Sequence, residues 1–350
     1  MSDLLLSVPI GINILLFIAA GAAVWAAGTS LSVYADEISD RKKIGKALTG
    51  FVFLAAATSL PELVTTVTAS LAGEALLVLN NIFGGISMQT AVLAVADAAV
   101  PVATLTFYPR KPTPALEAII LIVLMALLLG ISILGDQALV WHVGIGAVFF
   151  TGAYFGSLAL LRSYEDDASW RPVEFPDEEG LGFGTLKPAS LDAKSTRLLI
   201  GQAAGLALVI LVAGVLIVQL ADALADQTGL GSSFIAVTAL AAVTSLPELS
   251  TTIAAARIGS FTMAISNIFG SNLVMLTMLL PADILYRPGL ILNEMDAVAS
   301  MALVAGIVVS GIYAVGLLLR RKRRFLGMGV DSVLVVAVYL TSVAVFYALS

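Results

Sequence analysis

Long apolar stretches recur along the whole chain and restrict the folds that it can adopt. Of the 350 residues, 59% are hydrophobic and only 12% are charged, whereas soluble domains are about half apolar and a quarter charged. A helix that spans a bilayer needs about 20 mostly apolar residues. The sequence therefore predicts an all-α integral membrane protein with ten transmembrane helices, near residues 8–34, 47–70, 75–105, 114–134, 138–162, 197–221, 232–256, 260–285, 293–319 and 329–349.

The basic residues support this count of spans, because loops rich in lysine and arginine stay on the cytoplasmic side. All but one of the 18 basic residues fall in alternate loops, and only Arg287 falls on the opposite side. We therefore expect a multi-pass protein of the cell membrane with both termini outside. The run Arg320-Arg-Lys-Arg-Arg324 is a topology signal in this interpretation. Contact with anionic lipid headgroups is its alternative role.

One long polar stretch, residues 163–196, divides the sequence into two apolar halves. It is acidic and rich in proline and glycine, a composition typical of flexible connectors. We interpret it as a cytoplasmic linker, with a regulatory ion site as the alternative. The expected organisation is a first five-helix unit at 1–162, the linker at 163–196 and a second five-helix unit at 197–350.

The two halves share an internal repeat. Thr58–Thr66 matches Thr244–Thr252 at eight of nine positions, at an offset of 186 residues. The same offset aligns Asn81-Ile-Phe-Gly84 with Asn267-Ile-Phe-Gly270, so one ungapped shift holds over about 60 residues. Because each unit has an odd number of spans, the second must enter the membrane from the opposite side. Inverted repeats of this kind are typical of secondary transporters, which bind their substrate near the membrane midplane.

Two prolines mark the centre of this arrangement. Pro61 and Pro247 fall in the middle of the second and seventh segments, and proline cannot donate a hydrogen bond to the carbonyl four residues earlier. The carbonyls of Ala57 and Val243 are thereby freed to bind a ligand. We expect broken helices 2/3 and 7/8 at the membrane centre. A plain kink would explain one such proline, but two equivalent copies favour a functional site.

Glutamate follows each proline, and these two carboxylates decide the chemistry. A carboxylate in mid-bilayer costs at least ~2.5 kcal/mol and needs a partner, yet no lysine or arginine lies inside the apolar segments. Carboxylate, hydroxyl and carbonyl oxygens suit Ca²⁺ and Na⁺. The candidate ligands are Glu62, Glu248, Asn81, Asn267, Thr58, Ser59, Thr244, Ser245, and the carbonyls of Ala57 and Val243. Alternatively, the threonines bond back to helix carbonyls and the asparagines bond neighbouring helices.

Other kinds of site are excluded by composition. The chain has no cysteine and a single histidine, His142, so it can form neither a disulfide, nor a thiolate metal site, nor a multi-histidine metal centre. We find no nucleophile–base pair and no nucleotide-binding loop. The sequence therefore predicts neither an enzyme nor a resident cofactor, and the only ions expected are transported ones.

These motifs resemble the cation/calcium exchanger superfamily, and within it the sodium/calcium exchanger group. The first motif reads Ala57-Thr-Ser-Leu-Pro-Glu-Leu63 and recurs from Val243 to Leu249; the second reads Asn80–Ile86 and Ser266–Asn272. The resemblance implies a secondary active antiporter that exchanges Ca²⁺ for Na⁺ or H⁺ by alternating access, with the cation bound between Glu62 and Glu248. It further implies inorganic cations and the lipid bilayer as partners, no nucleic acid, and function as a monomer. The chain departs from the family pattern in having Asn267 for aspartate, Leu77 and Met263 for serine, and Gly85-Ile86 for Ser-Asn.

Charge counting limits the transport stoichiometry. Two glutamates neutralise one Ca²⁺, two Na⁺ or two H⁺, whereas three Na⁺ would leave a positive centre in low dielectric. We therefore hypothesise fewer Na⁺ per Ca²⁺ than in typical sodium-driven members, or protons in place of some Na⁺. A monovalent Na⁺/H⁺ antiporter is the main alternative function. An ion channel or sensor is a further one, although the repeat within one chain favours alternating access.

Overall fold

The computed structural model describes residues 5–100, 103–166, 191, 194–228, 242 and 244–349. The described chain is almost entirely helical, with two short β-hairpins, Ala138–Val140 with Val143–Gly144 and Arg324–Phe325 with Met328–Gly329. Its helices are α1 (Ile10–Lys42), α2 (Lys46–Thr58), α3 (Leu60–Ala72), α4 (Ala75–Ala98), α5 (Thr113–Leu134), α6 (Ile145–Asp166), α7 (Thr196–Thr228), α8 (Leu246–Arg257), α9 (Phe261–Thr277), α10 (Leu279–Leu285), α11 (Ala297–Leu319) and α12 (Val330–Leu349).

Eight helical segments in the described part are long and apolar enough to cross a membrane, and a ninth results when α2 and α3 are counted as one bent span. The first ten residues of the predicted seventh segment, 232–256, and most of the linker, 163–196, lie outside the described residues, so the count of ten stays a prediction. The boundaries also differ from those expected. α1 extends to Lys42 instead of ending near residue 34, and α4 ends at Ala98 instead of near 105.

The helix interruptions follow the prolines. The sequence predicts breaks in both members of each central pair, but α4 contains no proline and runs unbroken. In the first pair the interruption therefore lies at Ser59 alone, ahead of Pro61, where the chain bends by 47°. In the eighth segment, α9 and α10 are separated at Met278. Pro281 accounts for that interruption because it cannot donate to the carbonyl of Thr277.

Two long helices, α1 and α7, pack along each other and along the helices that carry the Pro-Glu motifs. Gly28 of α1 lies against Ser250 and Thr251 of α8, whereas Gly214 of α7 lies against the ring of Pro61. These two glycines are themselves related by the offset of 186. A side chain at either position would meet the facing helix, so both contacts depend on glycine for close approach. The outer faces of α1 and α7 expose large apolar side chains and form part of the lipid-facing surface.

The centre of the molecule is built around α4 and α9. Gly270 of α9 brings the backbones of α9 and α2 together, since a Cβ there would lie 2.6 Å from the Cα of Phe51. Gly50 of α2 makes the reciprocal approach, with its Cβ position 2.9 Å from the backbone nitrogen of Asn267. Gly50 and Phe51 belong to a π-helical turn, Thr49–Leu54, a local widening often found at functional sites.

Two buried aspartates connect the sequence halves at the ends of the central helices. An aspartate near the end of a helix is ordinarily solvated or caps that helix. Asp97 and Asp283, however, are 0% and 1% exposed. Asp97 accepts hydrogen bonds from the backbone N–H groups of Leu105 and Gly329. Asp283 accepts from the N–H eight residues ahead and from Gly144. We call these the aspartate contacts; each holds the start of a helix from the other half of the sequence.

Candidate cation-binding site

The two Pro-Glu motifs adopt the same backbone geometry. Ser59 has φ −83° and ψ 7°, and Ser245 has φ −79° and ψ 2°. Each serine lies immediately before a helix, and its carbonyl accepts the N–H four residues later. Pro61, in the first turn of α3, has no N–H to offer the carbonyl of Ala57. The geometry therefore leaves Ala57 as a candidate backbone ligand; its counterpart, Val243, lies outside the described residues.

Glu62 and Glu248 are both fully buried, each in the first turn of its helix. The amino-terminal end of a helix favours negative charge, but it does not replace a counter-ion. The two carboxylates lie on segments that meet, since Thr58, one turn before Glu62, contacts Ser271 beside Glu248. Among the described residues, both oxygens of Glu62 and Oε2 of Glu248 have no hydrogen-bond partner. Buried acceptors without partners carry a desolvation cost, so this pair requires protons or cations.

Hydroxyl groups link the two carboxylate segments. Oγ1 of Thr58, in the first half, lies 3.3 Å from Oγ of Ser271, in the second half. Ser271 in turn donates to Oε1 of Glu248 at 3.5 Å. Thr58 also bonds back to the carbonyl of Leu54 at 3.1 Å, the structural role given above as the alternative. That bond uses its proton, so Thr58 can meet Ser271 or an ion only as an acceptor.

The remaining predicted hydroxyl ligands are also buried. Ser59 and Ser245, which immediately precede α3 and α8, have hydroxyl oxygens without a hydrogen-bond partner in the described part of the chain. Thr244 is 3% exposed. By contrast, Thr251 donates to the carbonyl of Pro247 at 2.8 Å, a structural bond within α8. The two serines are therefore better placed to bind an ion than Thr251.

The two predicted asparagines behave differently. Asn267 donates from Nδ2 to Thr251 at 2.9 Å and to Thr252 at 3.1 Å, whereas its Oδ1 has no partner among the residues that the structure describes. Its amide is thus held with the oxygen free to coordinate. Asn81 is buried as well, but it is the amide nitrogen that has no partner among the described residues. Asn267 is therefore the better prepared oxygen ligand of the two.

Sequence analysis missed Ser271. It lies one helical turn after Asn267 on α9, and it is fully buried. At the offset of 186, its counterpart is Gly85, which has no side chain to suggest a ligand. Two signals could have identified it. Its hydroxyl lies at i+4 from Asn267 and shares that residue's helix face, and the second repeat keeps the Ser-Asn of the family pattern at Ser271-Asn272.

A second missed residue, Gln89, shows that the site is not symmetric. Gln89 lies two helical turns after Asn81 on α4, is fully buried, and has neither amide atom paired within the described chain. Its counterpart at the offset of 186 is Met275, whose sulfur lies 3.3 Å from the Cβ position of Gly85. One half thus presents an amide where the other presents a thioether. No third acid joins the pair, because the described residues contain no cluster of three or more Asp, Glu, His or Cys.

Comparison with known proteins gives a consistent result. The family model described as sodium/calcium exchanger protein matches residues 12–161 and 198–348. A candidate antiporter, CaxA of Alkalimonas amylolytica, is 28% identical over 262 residues, 73% of this chain and 75% of that protein. Inner membrane protein YrbG of Escherichia coli is 36% identical over 148 residues, 42% of this chain and 43% of that protein. Structures of the sodium-calcium exchanger NCX_Mj share the fold, with a TM-score of 0.71, 17% identity, and coverage of 96% of this chain and 99% of that one.

Proposed function

Because the chain belongs to the sodium/calcium exchanger protein family, we propose that this membrane antiporter exchanges Ca²⁺ for Na⁺, with H⁺ as the alternative counter-ion. The observation that carries the proposal is the buried pair Glu62 and Glu248, three of whose four oxygens have no hydrogen-bond partner among the described residues. A divalent cation between them neutralises both carboxylates and coordinates their oxygens. Removing one partner of a buried pair of opposite charges is strongly destabilising. Loss of either carboxylate should therefore weaken binding of the cation.

The proposed coordination shell is made of oxygen atoms from both halves of the chain. Ca²⁺ takes about six to eight oxygen ligands, more than two carboxylates provide. Ser271 and Thr58 lie beside Glu248 and supply the nearest hydroxyls. The free Oδ1 of Asn267 supplies an amide oxygen. Further candidate ligands are proposed from their burial or from their position in the motifs. They are Asn81, Ser59, Thr244, Ser245, and the carbonyls of Ala57 and Val243.

Exchange without a leak requires that the site open to one side at a time. Inverted repeats supply two related conformations for this purpose. α1 and α7 contact the Pro-Glu helices through Gly28 and Gly214, and contacts made by small residues allow one helix to slide along another. We therefore assign the moving elements to α1 and α7. We further propose that both termini lie outside the cell, that the linker is cytoplasmic and that a single chain is the functional unit.

The charge of the site favours electroneutral exchange. Two carboxylates balance one Ca²⁺ or two Na⁺, and among the described residues no third acid joins them. A Met275 side chain fills the space beside Gly85, where a further oxygen ligand would otherwise have room. We therefore propose two Na⁺, or two H⁺, for each Ca²⁺. The same count favours the second candidate function, a Na⁺/H⁺ antiporter on this scaffold.

Flux in proteoliposomes distinguishes these functions. Vesicles loaded with Na⁺ are diluted into Na⁺-free medium containing radioactive Ca²⁺, first without and then with a pH gradient, and the membrane potential is set with valinomycin and K⁺. Electroneutral exchange predicts Ca²⁺ accumulation that needs the Na⁺ gradient and does not respond to the imposed potential. If a pH gradient alone drives uptake, H⁺ is the counter-ion.

Three results would contradict the proposal. Strongly voltage-dependent, pH-independent uptake would show a third Na⁺ and overturn the charge count. Na⁺-driven proton movement without any Ca²⁺ flux would support the monovalent antiporter. Ca²⁺ equilibration without any counter-ion gradient would indicate a channel. Empty vesicles and vesicles containing the Glu62→Gln variant serve as controls for leak.

A further inference from the structure

A groove on the outer surface lies between the last turns of α11 and the first turns of α12. Its volume is about 420 Å³, and its walls are mainly apolar, formed by Val315, Leu319 and Leu334. These three side chains are about half exposed, on helices long and apolar enough to cross the membrane. Arg321 and Arg323 line one end of the groove. The groove is therefore apolar along the membrane-spanning helices and basic where they leave the membrane.

Gly311 of α11 lines this groove. A Cβ placed on Gly311 would have no atom within 4 Å, so the space beside it is open. The groove also contains one acid, Asp331, but that carboxylate is turned into the protein. It accepts hydrogen bonds from the hydroxyl of Thr106 at 2.6 Å and from the backbone N–H of Ser332 at 3.0 Å. An anion at the end of the groove therefore meets the arginines rather than an exposed acid.

The basic run at residues 320–324 is divided between two uses. Arg320 donates to the carbonyl of Pro109, and Arg324 donates to the carbonyls of Val100 and Gly327. Lys322 lies 4.9 Å from the centre of an aromatic ring. Arg321 and Arg323, by contrast, are exposed, and their guanidinium groups make no hydrogen bond or ion pair within the described part of the chain. Only the backbone carbonyl of Arg321 is used, as an acceptor for Thr104.

We propose that this groove binds one anionic phospholipid of the surrounding membrane. Its acyl chain lies along Val315, Leu319 and Leu334, and its phosphate is bound by Arg321 and Arg323. Guanidinium groups form charge-assisted, often bidentate hydrogen bonds with phosphate. Each methylene buried in the groove adds to the affinity. A zwitterionic headgroup would place its own cation beside two arginines, which gives the site a preference for net negative lipids.

The two parts of the site can be tested separately. Native mass spectrometry of the detergent-solubilised full chain measures binding of phosphatidylglycerol and of phosphatidylcholine with the same acyl chains. Arg321→Gln/Arg323→Gln should weaken phosphatidylglycerol binding about 30-fold, which corresponds to about 1 kcal/mol for each basic residue, and should leave phosphatidylcholine nearly unchanged. Gly311→Leu should weaken both lipids about 15-fold, because it displaces about two methylenes at about 0.8 kcal/mol each.

Matched controls are available on α1. Lys42→Gln/Lys43→Gln removes the same charge from another basic segment, and Gly21→Leu adds the same side chain where the structure has open space. Both should bind lipid like the wild type. Equal binding of the two lipids by the wild type would overturn the proposal, and so would full phosphatidylglycerol binding by the arginine double variant. Displacement by excess inorganic phosphate would show that only the headgroup is recognised, and a dimer lost in Gly311→Leu would show that a second copy fills the groove.

Discussion

Replacing Glu62 by glutamine tests the cation site with the least change in shape. Neither oxygen of Glu62 has a hydrogen-bond partner in the described chain, so within that part of the chain its charge must be balanced by a proton or a bound cation. The variant leaves Glu248 as the single carboxylate opposite a divalent cation. The Ca²⁺ complex then carries a net positive charge in a fully buried site.

The size of the effect follows from the cost of an uncompensated buried charge. Breaking a buried ion pair costs about 3–5 kcal/mol. At about 1.4 kcal/mol for each tenfold change in affinity, the dissociation constant for Ca²⁺ should rise by at least about 100-fold. Glu248→Gln removes the same charge and keeps an amide oxygen that can accept the hydrogen bond from Ser271, so its effect should be about as severe.

Isothermal titration of the purified protein measures this affinity, and Ca²⁺ flux in proteoliposomes measures its consequence for transport. Glu74→Gln is the matched control, because Glu74 lies in the exposed turn between α3 and α4 and its loss removes the same charge. Unchanged Ca²⁺ uptake in either site variant would refute the assignment of the carboxylate pair. Loss of Ca²⁺ binding in Glu74→Gln as well would show that overall charge, and not the site, controls affinity.

Three further predictions test separate parts of the structure. Ser271→Ala removes the hydroxyl that bonds Glu248, so Ca²⁺ affinity measured by titration should fall about 10-fold. This corresponds to about 1.4 kcal/mol, close to the lower end of the range of about 1.5–3 kcal/mol for a hydrogen bond to a charged group; an unchanged affinity would exclude Ser271 from the site. Gly270→Val places methyl groups against the backbone of Phe51 and should destabilise the protein by about 1–3 kcal/mol in thermal unfolding, whereas Gly130→Val, which meets open space, should be nearly neutral. Asp97→Ala leaves two buried N–H groups without an acceptor and should cost about 2–5 kcal/mol by the same measurement, and a cost below about 1 kcal/mol would contradict the role given to the aspartate contacts.

The sequence was sufficient to predict features set by local chemistry. Membrane-spanning helices follow from apolar length, and the interruption ahead of Pro61 follows from a missing N–H. The equal geometry of Ser59 and Ser245 follows from two nearly identical motifs. The family follows from the doubled Ser-Leu-Pro-Glu motif. All of these depend on a residue and its near neighbours, or on a comparison of the chain with itself.

Other features depend on which helices meet, and sequence analysis could not supply them. The internal repeat concealed Ser271, because comparison with Gly85 gave no hint of a ligand. Gln89 resembles any polar residue in a helix until its burial is known. The role of Asp97 depends on Gly329, which lies more than 200 residues later. The extension of α1 to Lys42 was also missed, because its last two turns are polar and lie beyond the apolar segment from which the helix was predicted.

The aspartate contacts have a consequence for how the protein is made. A ribosome delivers the chain from its amino end, so α4 enters the bilayer with Asp97 long before Gly329 has been synthesised. Until then this carboxylate lacks one of its two backbone donors. The packing of the first half is therefore complete only after the carboxyl-terminal hairpin has formed. Nascent chains stopped ahead of residue 324 should therefore show α4 less protected from protease than chains released at full length, so that the carboxyl-terminal hairpin acts as the final step of assembly.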